Sequence, residues 1–461
     1  MLTYNFERNS KAPLYEQLYD FIKSDIISGK IKGGDKLPSK REFAAHLGIS
    51  KVTVEAAYSA LISEGYVYSL EKKGYYCEKN LALPEKTASA PPAKKEERKK
   101  IDIDLSSNAV PGTQFPFSVW SRLMREITLN YSRELLDPIP FEGAWILRSA
   151  LSAYLMSERG MNISPEQIFI GAGSEYLYTQ IIRLLGAENI YGIENPSYHK
   201  ISKVYSMNGA LIRQIDITGE TLDAEALENI GINIFHISPS HNFPTGTVMG
   251  AKERHDILSW ANKKGRRYVI EDDFDSELRF EGKPIPPMQT LDSAGKVIYI
   301  NTFSKTISPA LRIGYMVLPE ELADRYRSTL SFNSCTVSSF DQYALADFIS
   351  RGYFERHLSR TKKYYRILRE KLLAVYEKSK IKPCAELCES QAGLHFALKL
   401  RTDLPDENIK ARLASVGIKA AFMSDYCSAP IDRPYELLIN YSGLDEDKFL
   451  RALAAIYEII C

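Results

Sequence analysis

Along the first eighty residues, apolar side chains recur with the period of helices. Leu14, Leu18, Ile22 and Ile26 fall on one face of a helix that the pattern ends near Gly29. Ser39 followed by Glu42 has the Ser-x-x-Glu spacing of a capping box, which predicts a second helix from Ser39 to Gly48. After the turn Leu47-Gly48-Ile49-Ser50, a third helix is predicted from Ser50 to about Glu64, with Val54, Leu61 and Ile62 facing a core. Gly65-Tyr66-Val67-Tyr68 and Gly74-Tyr75-Tyr76-Cys77 flank Glu71-Lys72-Lys73, the pattern of a β-hairpin. Two helices joined by a short glycine-containing turn make a helix-turn-helix, and the hairpin adds a wing.

From about residue 102 the pattern changes. Short apolar runs at residues 168–170, 190–193, 234–237, 268–270 and 297–300 alternate with helical stretches. Such alternation predicts an α/β unit, a mainly parallel sheet with helices on both faces. Between the two patterns lies a stretch rich in Pro, Ala, Lys and Glu without apolar periodicity, which reads as an exposed linker. The expected organisation is a winged module at 1–79, a linker at 80–101 and a large unit at 102–461. Within the last, a smaller subdomain is expected from about residue 335.

The length of 461 residues suits two or three domains. Net charge is only +1, but residues 1–101 carry 18 basic and 13 acidic side chains, so positive charge gathers at the front. The chain has no run of 18 apolar residues and its amino terminus lacks a signal-peptide layout, so a soluble cytoplasmic protein is expected. Six scattered cysteines suggest free thiols. Cys384 and Cys388 are four apart, but no second ligand pair of suitable spacing accompanies them, so no metal is expected.

The front module has its own chemistry. Lys40 and Arg41 open the second helix, and Lys51 and Thr53 open the third, where side chains meet phosphates and base edges. The helices alone would equally suit an αα-hairpin packed on the large unit. The string Pro38-Ser39-Lys40-Arg41-Glu42-Phe43-Ala44, continued by Leu47-Gly48-Ile49-Ser50-Lys51-Val52-Thr53-Val54, resembles the winged helix-turn-helix of GntR-type bacterial repressors over residues 12–78. That resemblance implies double-stranded operator DNA as partner and Arg41, Lys51 and Thr53 as contacts. Ser39, Lys40, Lys73 and Gly74 complete the candidate DNA-facing set.

In the large unit, Asn301-Thr302-Phe303-Ser304-Lys305-Thr306 follows an apolar run, with Arg312 seven residues beyond Lys305. An aldehyde cofactor needs an amine that deprotonates to form a Schiff base, and a phosphate needs hydroxyl and guanidinium donors. A surface cluster of Lys and Thr is the plainer reading of that string alone. Gly171-Ala172-Gly173-Ser174-Glu175 lies between a strand and a helix, where backbone N–H groups cradle anions. Glu271-Asp272-Asp273-Phe274-Asp275 sits at a strand's carboxyl end, where a carboxylate can keep a pyridine nitrogen protonated. Glu194-Asn195-Pro196-Ser197-Tyr198 and Pro239-Ser240-His241-Asn242-Phe243-Pro244-Thr245-Gly246 follow two further strands.

Together these strings resemble the fold-type I pyridoxal-phosphate enzymes of the aspartate aminotransferase group, over about residues 103–460. The order of parts resembles the MocR/GabR regulators. The resemblance implies aminotransferase-like large and small domains, pyridoxal 5′-phosphate as cofactor and a homodimer. Lys305 would be the Schiff-base lysine, Asp272 the partner of the pyridine nitrogen and Tyr198 the side chain stacked on the ring. Gly173, Ser174, Glu175 through its backbone, Asn242, Thr302, Ser304 and Arg312 would surround the rest of the cofactor. Asp273 competes with Asp272, because one residue of register reverses which side chain points inward.

Three departures qualify the match. Phe274 stands where the family commonly has a tyrosine whose phenol meets the ring oxygen. Lys200 stands where relatives that sense γ-aminobutyrate carry an arginine. Residues 436–441 hold no arginine for a substrate carboxylate, although Arg433 is near. The resulting expectation is a cofactor-dependent DNA-binding transcriptional regulator that senses an amine or amino acid by aldimine exchange at Lys305, with Lys200 and Arg433 as candidate ligand contacts. A sensor of the cofactor itself without amine chemistry, and a true aminotransferase with an accessory DNA-binding domain, are the alternatives.

Overall fold

A computed structural model describes residues 2–7, 12–79, 101–107, 109–217, 222–280, 285–389, 393–428 and 435–461. They form two compact units divided near residue 98. Apart from Ile101, the expected linker lies outside the described residues.

In the first unit, helices α1 (Leu14–Ile27), α2 (Lys40–Leu47) and α3 (Lys51–Ser63) pack beside a three-stranded sheet of β1 (Lys36–Leu37), β2 (Val67–Leu70) and β3 (Gly74–Cys77), in the order β1-β3-β2. The hydroxyl of Ser39 accepts from the Glu42 amide at 3.3 Å, and Gly48 closes α2 in the left-handed conformation (φ 64°) that glycine adopts without penalty. The Ser50 hydroxyl caps α3 by accepting from the Thr53 amide at 3.1 Å. Leu18, Ile22, Phe43, Val54, Ala57, Tyr58 and Leu61 form the core. Ile62, expected inside, is exposed instead: Leu61 already holds the inward position and one residue of helix turns its neighbour by about 100°. The two-residue strand β1 is too short for a sequence pattern to reveal.

The second unit starts with β4 (Ile103–Asp104) and is built on a seven-stranded sheet. Its strands are β5 (Ile168–Gly171), β6 (Ile190–Asn195), β7 (Leu211–Asp216), β8 (Ile234–Ile237), β9 (Tyr268–Asp272), β10 (Val297–Thr302) and β11 (Gly314–Val317), in the order β5-β11-β10-β9-β8-β6-β7. All five apolar runs read from sequence become strands. The sheet is parallel except for β11, which runs against both β10 and β5. Edge strand β7 alternates exposed residues with half-buried ones and the buried Ile215, so it lacks the continuous apolar run of a strand covered on both faces. Residues from the helices at 145–159, 339–350 and 353–377 pack on one face of this sheet, and those from 174–185, 199–207 and 320–330 on the other.

A second sheet holds β12 (Ala385–Glu389), β13 (His395–Leu400), β15 (Ala421–Phe422) and β16 (Glu436–Asn440), while β14 (Ile418–Lys419) pairs with β4. Its core takes in Tyr365, Leu372, Phe396, Ile439 and Phe449, together with Ile103 and Leu105 from the start of the unit. Val337, Leu345, Phe348 and Phe354 instead belong to the core of the large sheet. Cys384 and Cys461 form a disulfide with Cα atoms 6.8 Å apart, contrary to the expectation of free thiols. A separation of 77 residues hides that pairing from a reading of local spacing.

Candidate cofactor site and DNA-facing surface

The carboxyl ends of the parallel strands carry the predicted chemistry. Successive side chains along a strand point to opposite faces, so the three acids at the end of β9 must separate. Glu271 accepts from the backbone amides of Met288 and Gln289 at 2.8 and 3.0 Å, and burial raises its carboxyl to about 7. Asp273 lies on the same side, where Arg159 meets it at 2.5 Å and the Tyr299 phenol donates to it at 2.8 Å. Asp272 faces the other way. The Tyr178 phenol donates to its Oδ2, and His236 Nε2 lies 3.4 Å from the same oxygen. Oδ1 of Asp272 is buried with no hydrogen-bond partner. A buried carboxylate oxygen without a donor is costly unless something supplies a proton to it.

Tyr178 belongs to the helix Ser174–Leu185, whose amino terminus follows the glycine loop. Gly173 has φ 88°, and a Cβ there would lie 2.7 Å from a terminal nitrogen of Arg312. Glycine is required here by conformation, and the open space above its Cα lets the guanidinium approach. Arg312 is itself left-handed (φ 53°) and donates to the Ala172 carbonyl at 3.2 Å. A helix amino terminus, the Ser174 position and a guanidinium thus meet at one place, a donor set suited to a phosphate. Thr302 is buried at the end of β10 and Ser304 is half-buried two residues on.

Lys305 follows in the same loop. Burial pulls its ammonium down to about 8, and the Asp275 carboxylate opposes that shift. Asp275 is held by His241, whose Nδ1 lies 2.9 Å from Oδ2, and the His241 ring stands 6.1 Å from Phe274 and 5.4 Å from His395. Asn242 donates to Glu194 at 2.9 Å and accepts from the Thr245 hydroxyl at 2.8 Å. Glu194, deeply buried, is raised to about 7.

Tyr198 stands just before the helix His199–Met207 and lies under Lys200, whose ammonium is 5.8 Å from the ring centre. Lys200 pairs with Glu175 at 2.6 Å, so its charge is answered within the chain. Arg433 lies outside the described residues. Tyr178, His236 and Arg159 escaped the sequence reading. The one available signal was for Tyr178, four residues after Ser174 and so on the same helix face.

These residues fit pyridoxal phosphate on three counts: the anion cradle at Gly173 and Arg312, the partnerless Asp272 Oδ1, and an amine whose lowered basicity favours the neutral form.

The front module presents a separate surface. Arg41, Lys51 and Lys73 are exposed. Lys40 instead pairs with Glu55 at 2.6 Å and lies over Tyr75, and the Ser39 hydroxyl is occupied as a cap. The Thr53 hydroxyl meets that of Ser50 at 2.8 Å. Gly74 has φ 112° beside the Lys36 side chain.

Comparison with known proteins gives matching results for both units. The family model described as bacterial regulatory proteins, gntR family, matches residues 14–77, and aminotransferase class I and II matches residues 100–403. An uncharacterized HTH-type transcriptional regulator, YdeL of Bacillus subtilis, is 33% identical, with 89% of each chain covered. The probable rhizopine catabolism regulatory protein MocR of Rhizobium meliloti is 29% identical over 95% of this chain and 92% of its own. Among solved structures, a multiple substrate aminotransferase from Thermococcus profundus covers 79% of this chain and 92% of its own, with a TM-score of 0.69 and 21% identity. That last likeness is one of fold.

Proposed function

The chain belongs to the HTH-type transcriptional regulators that join a gntR-family module to an aminotransferase class I and II domain, and from this membership we propose that its larger unit senses an amine or amino acid at Lys305. Transcription regulation, DNA binding and pyridoxal 5′-phosphate come with the family. The roles of individual residues, the effector and the oligomeric state are our reading.

The observation that carries this reading is the buried Asp272 Oδ1 without a partner, on the strand beside the one that leads to Lys305. When bound, the cofactor supplies an aldehyde that condenses with amines. This chain's residues do the rest. Asp272, positioned by the Tyr178 phenol, holds a proton at the ring nitrogen. The backbone at Gly173 and Ser174, with Arg312, binds the phosphate and fixes the ring's direction. Lys305 offers a larger share of neutral amine near neutral pH than an ordinary lysine does, because burial disfavours its charge. An incoming amine competes with Lys305, and the change in what Lys305 touches is the signal.

A homodimer in the cytoplasm fits this reading. Phe117, Leu129, Leu136 and Phe332 of the larger unit are exposed, apolar area that a second copy would cover. No described helix is long and apolar enough to cross a membrane.

The test is a screen of amines and amino acids for a change in the bound cofactor's visible absorbance, repeated with operator DNA present. An amine that alters both absorbance and DNA affinity supports the proposal. A DNA response to the cofactor alone, with no amine effect, favours a sensor of the cofactor. Sustained keto-acid production favours an aminotransferase.

A further inference from the structure

The outward face of α3 carries one side chain that DNA binding through phosphates does not explain. Val52, the second residue of the helix, is 73% exposed, the most exposed large apolar side chain of the described front module. Val54, Ala57, Tyr58 and Leu61 build the core from the opposite side, and Val52 is no part of it. A lone exposed valine on a protein surface needs no explanation, but this one stands at the amino-terminal end of the second helix of a helix-turn-helix, the helix that such modules place in the major groove.

Its neighbours narrow what it can meet. Lys51 precedes it and is exposed, ready for a phosphate. Glu55, one residue short of a full turn away, is bound to Lys40 at 2.6 Å, and its carboxyl is held below the usual range by that ammonium, with Lys51 adding to the effect. The acid is thereby neutralised at the side of the helix tip. An exposed apolar side chain remains next to an exposed cation, with the paired acid three residues further along the helix. A protein partner would need an apolar surface that tolerates this basic rim. The major groove offers both features at once: phosphates for the cation and, at thymine alone among the standard bases, a methyl group.

We propose that Val52 is a specificity-determining residue that packs against a thymine 5-methyl group in the operator's major groove. The contact adds discrimination for thymine over cytosine at one position of the recognition site without adding charge.

The experiment uses the full-length protein to select duplexes from a random pool. Each thymidine of a selected duplex is then replaced singly by deoxyuridine, which pairs identically and lacks the methyl. Wild-type protein is expected to lose about fourfold in affinity at one position of the recognition site, the effect of exposing roughly one methyl group. Val52→Ala is expected to bind the unsubstituted duplex about fourfold more weakly and to show no uridine penalty at that position. Its salt dependence and thermal unfolding midpoint should match wild type. Equal uridine penalties in both proteins, or none at any thymidine, overturn the assignment. A Val52→Ala protein that binds DNA unchanged but alters self-association also overturns it, in favour of a protein contact. Failure to select any duplex would overturn the DNA-binding reading itself.

Discussion

The Tyr178 phenol donates to Oδ2 of Asp272, leaving Oδ1 of that carboxylate buried and without a partner. Its sequence neighbour Asp273 also has a buried Oδ1 without a partner, but it faces the opposite side of the sheet, and its Oδ2 is bound by the buried Arg159 guanidinium and the Tyr299 phenol. Substitutions at the two positions should therefore fail differently. Asp272→Ala should fold and lose most of its affinity for pyridoxal phosphate, read by equilibrium dialysis. Asp273→Ala strands a buried guanidinium, and breaking such a pair costs about 3–5 kcal/mol. A denaturant titration that finds Asp273→Ala as stable as wild type would refute this division of roles.

If Lys305 is the attachment amine, as proposed, its protonation sets the pH at which cofactor attaches. With its value lowered from 10.5 to about 8, roughly one amine in eleven is neutral at pH 7, against about one in three thousand for an ordinary lysine. The rate of cofactor attachment to apoprotein should rise with pH and level off above about 8. Asp275→Asn removes the charge that favours the ammonium, so the plateau should begin at lower pH. Borohydride reduction should fix the cofactor to the peptide containing Lys305, and Lys305→Ala should take up no label. Recovery of label on another lysine would refute the assignment.

The extent to which sequence foretold this structure follows from how local each feature is. Caps at Ser39 and Ser50, the glycine at 48 and the five buried strands are decided by residues within a turn or two, and a chain pattern records them. The choice between Asp272 and Asp273 depends on which face of the sheet each side chain reaches. The contacts that separate the two side chains come from Tyr178 and Arg159, residues more than ninety positions away. The pairing of Lys200 with Glu175 escaped for the same reason: it joins the helices Ser174–Leu185 and His199–Met207, whose neighbourhood is a tertiary feature that local spacing does not record.

Buried acids give the larger unit a pH-dependent stability. Glu194 and Glu271 are raised from 4.5 to about 7, first by desolvation. The folded protein therefore binds protons that the unfolded chain has released between about pH 4.5 and 7. This contribution is present at low pH and is lost as pH rises through 7. Stability from denaturant titrations should fall between pH 5 and pH 7 at up to about 1.4 kcal/mol per pH unit for each acid. Glu194→Gln, which still accepts from Ser238 and Asn242, should remove one acid's share of that slope. An unchanged slope would show that Glu194 is ionised in the folded protein.

In the front module, the structure sets Lys40 apart from Arg41 and Lys51, the two basic residues that the resemblance names as contacts. Arg41 and Lys51 are exposed, whereas Lys40 is engaged by Glu55. Arg41→Ala and Lys51→Ala should weaken operator binding, and each lost phosphate contact should flatten the salt slope by about one unit. Lys40→Ala should have a smaller effect, because part of what it loses is a bond to Glu55. Equal losses for all three, measured by fluorescence anisotropy across a salt series, would mean that DNA displaces the Lys40–Glu55 pair.

The last prediction is that this protein turns over slowly as a transaminase. Amine exchange needs an amine, a proton held at the ring nitrogen and an anchored phosphate, and Lys305, Asp272 and the Gly173–Arg312 cradle can supply these. Turnover needs more. The substrate carboxylate must be held so that one bond at the α-carbon stands over the ring system, and such positioning is a large part of catalysis. Strand β16 offers Asn440 rather than an arginine, and Lys200 is committed to Glu175. An ammonium is in any case a point charge and lacks the two-pronged grip of a guanidinium. Phe274 brings no phenol to the ring oxygen, and its neighbour His241 is held by Asp275. Keto-acid production measured over many equivalents of protein, across common α- and ω-amino acids, should fall well below the typical enzyme range of about 1–10³ s⁻¹. Turnover within that range for any of them would refute this prediction and make catalysis, rather than sensing, the work of the larger unit.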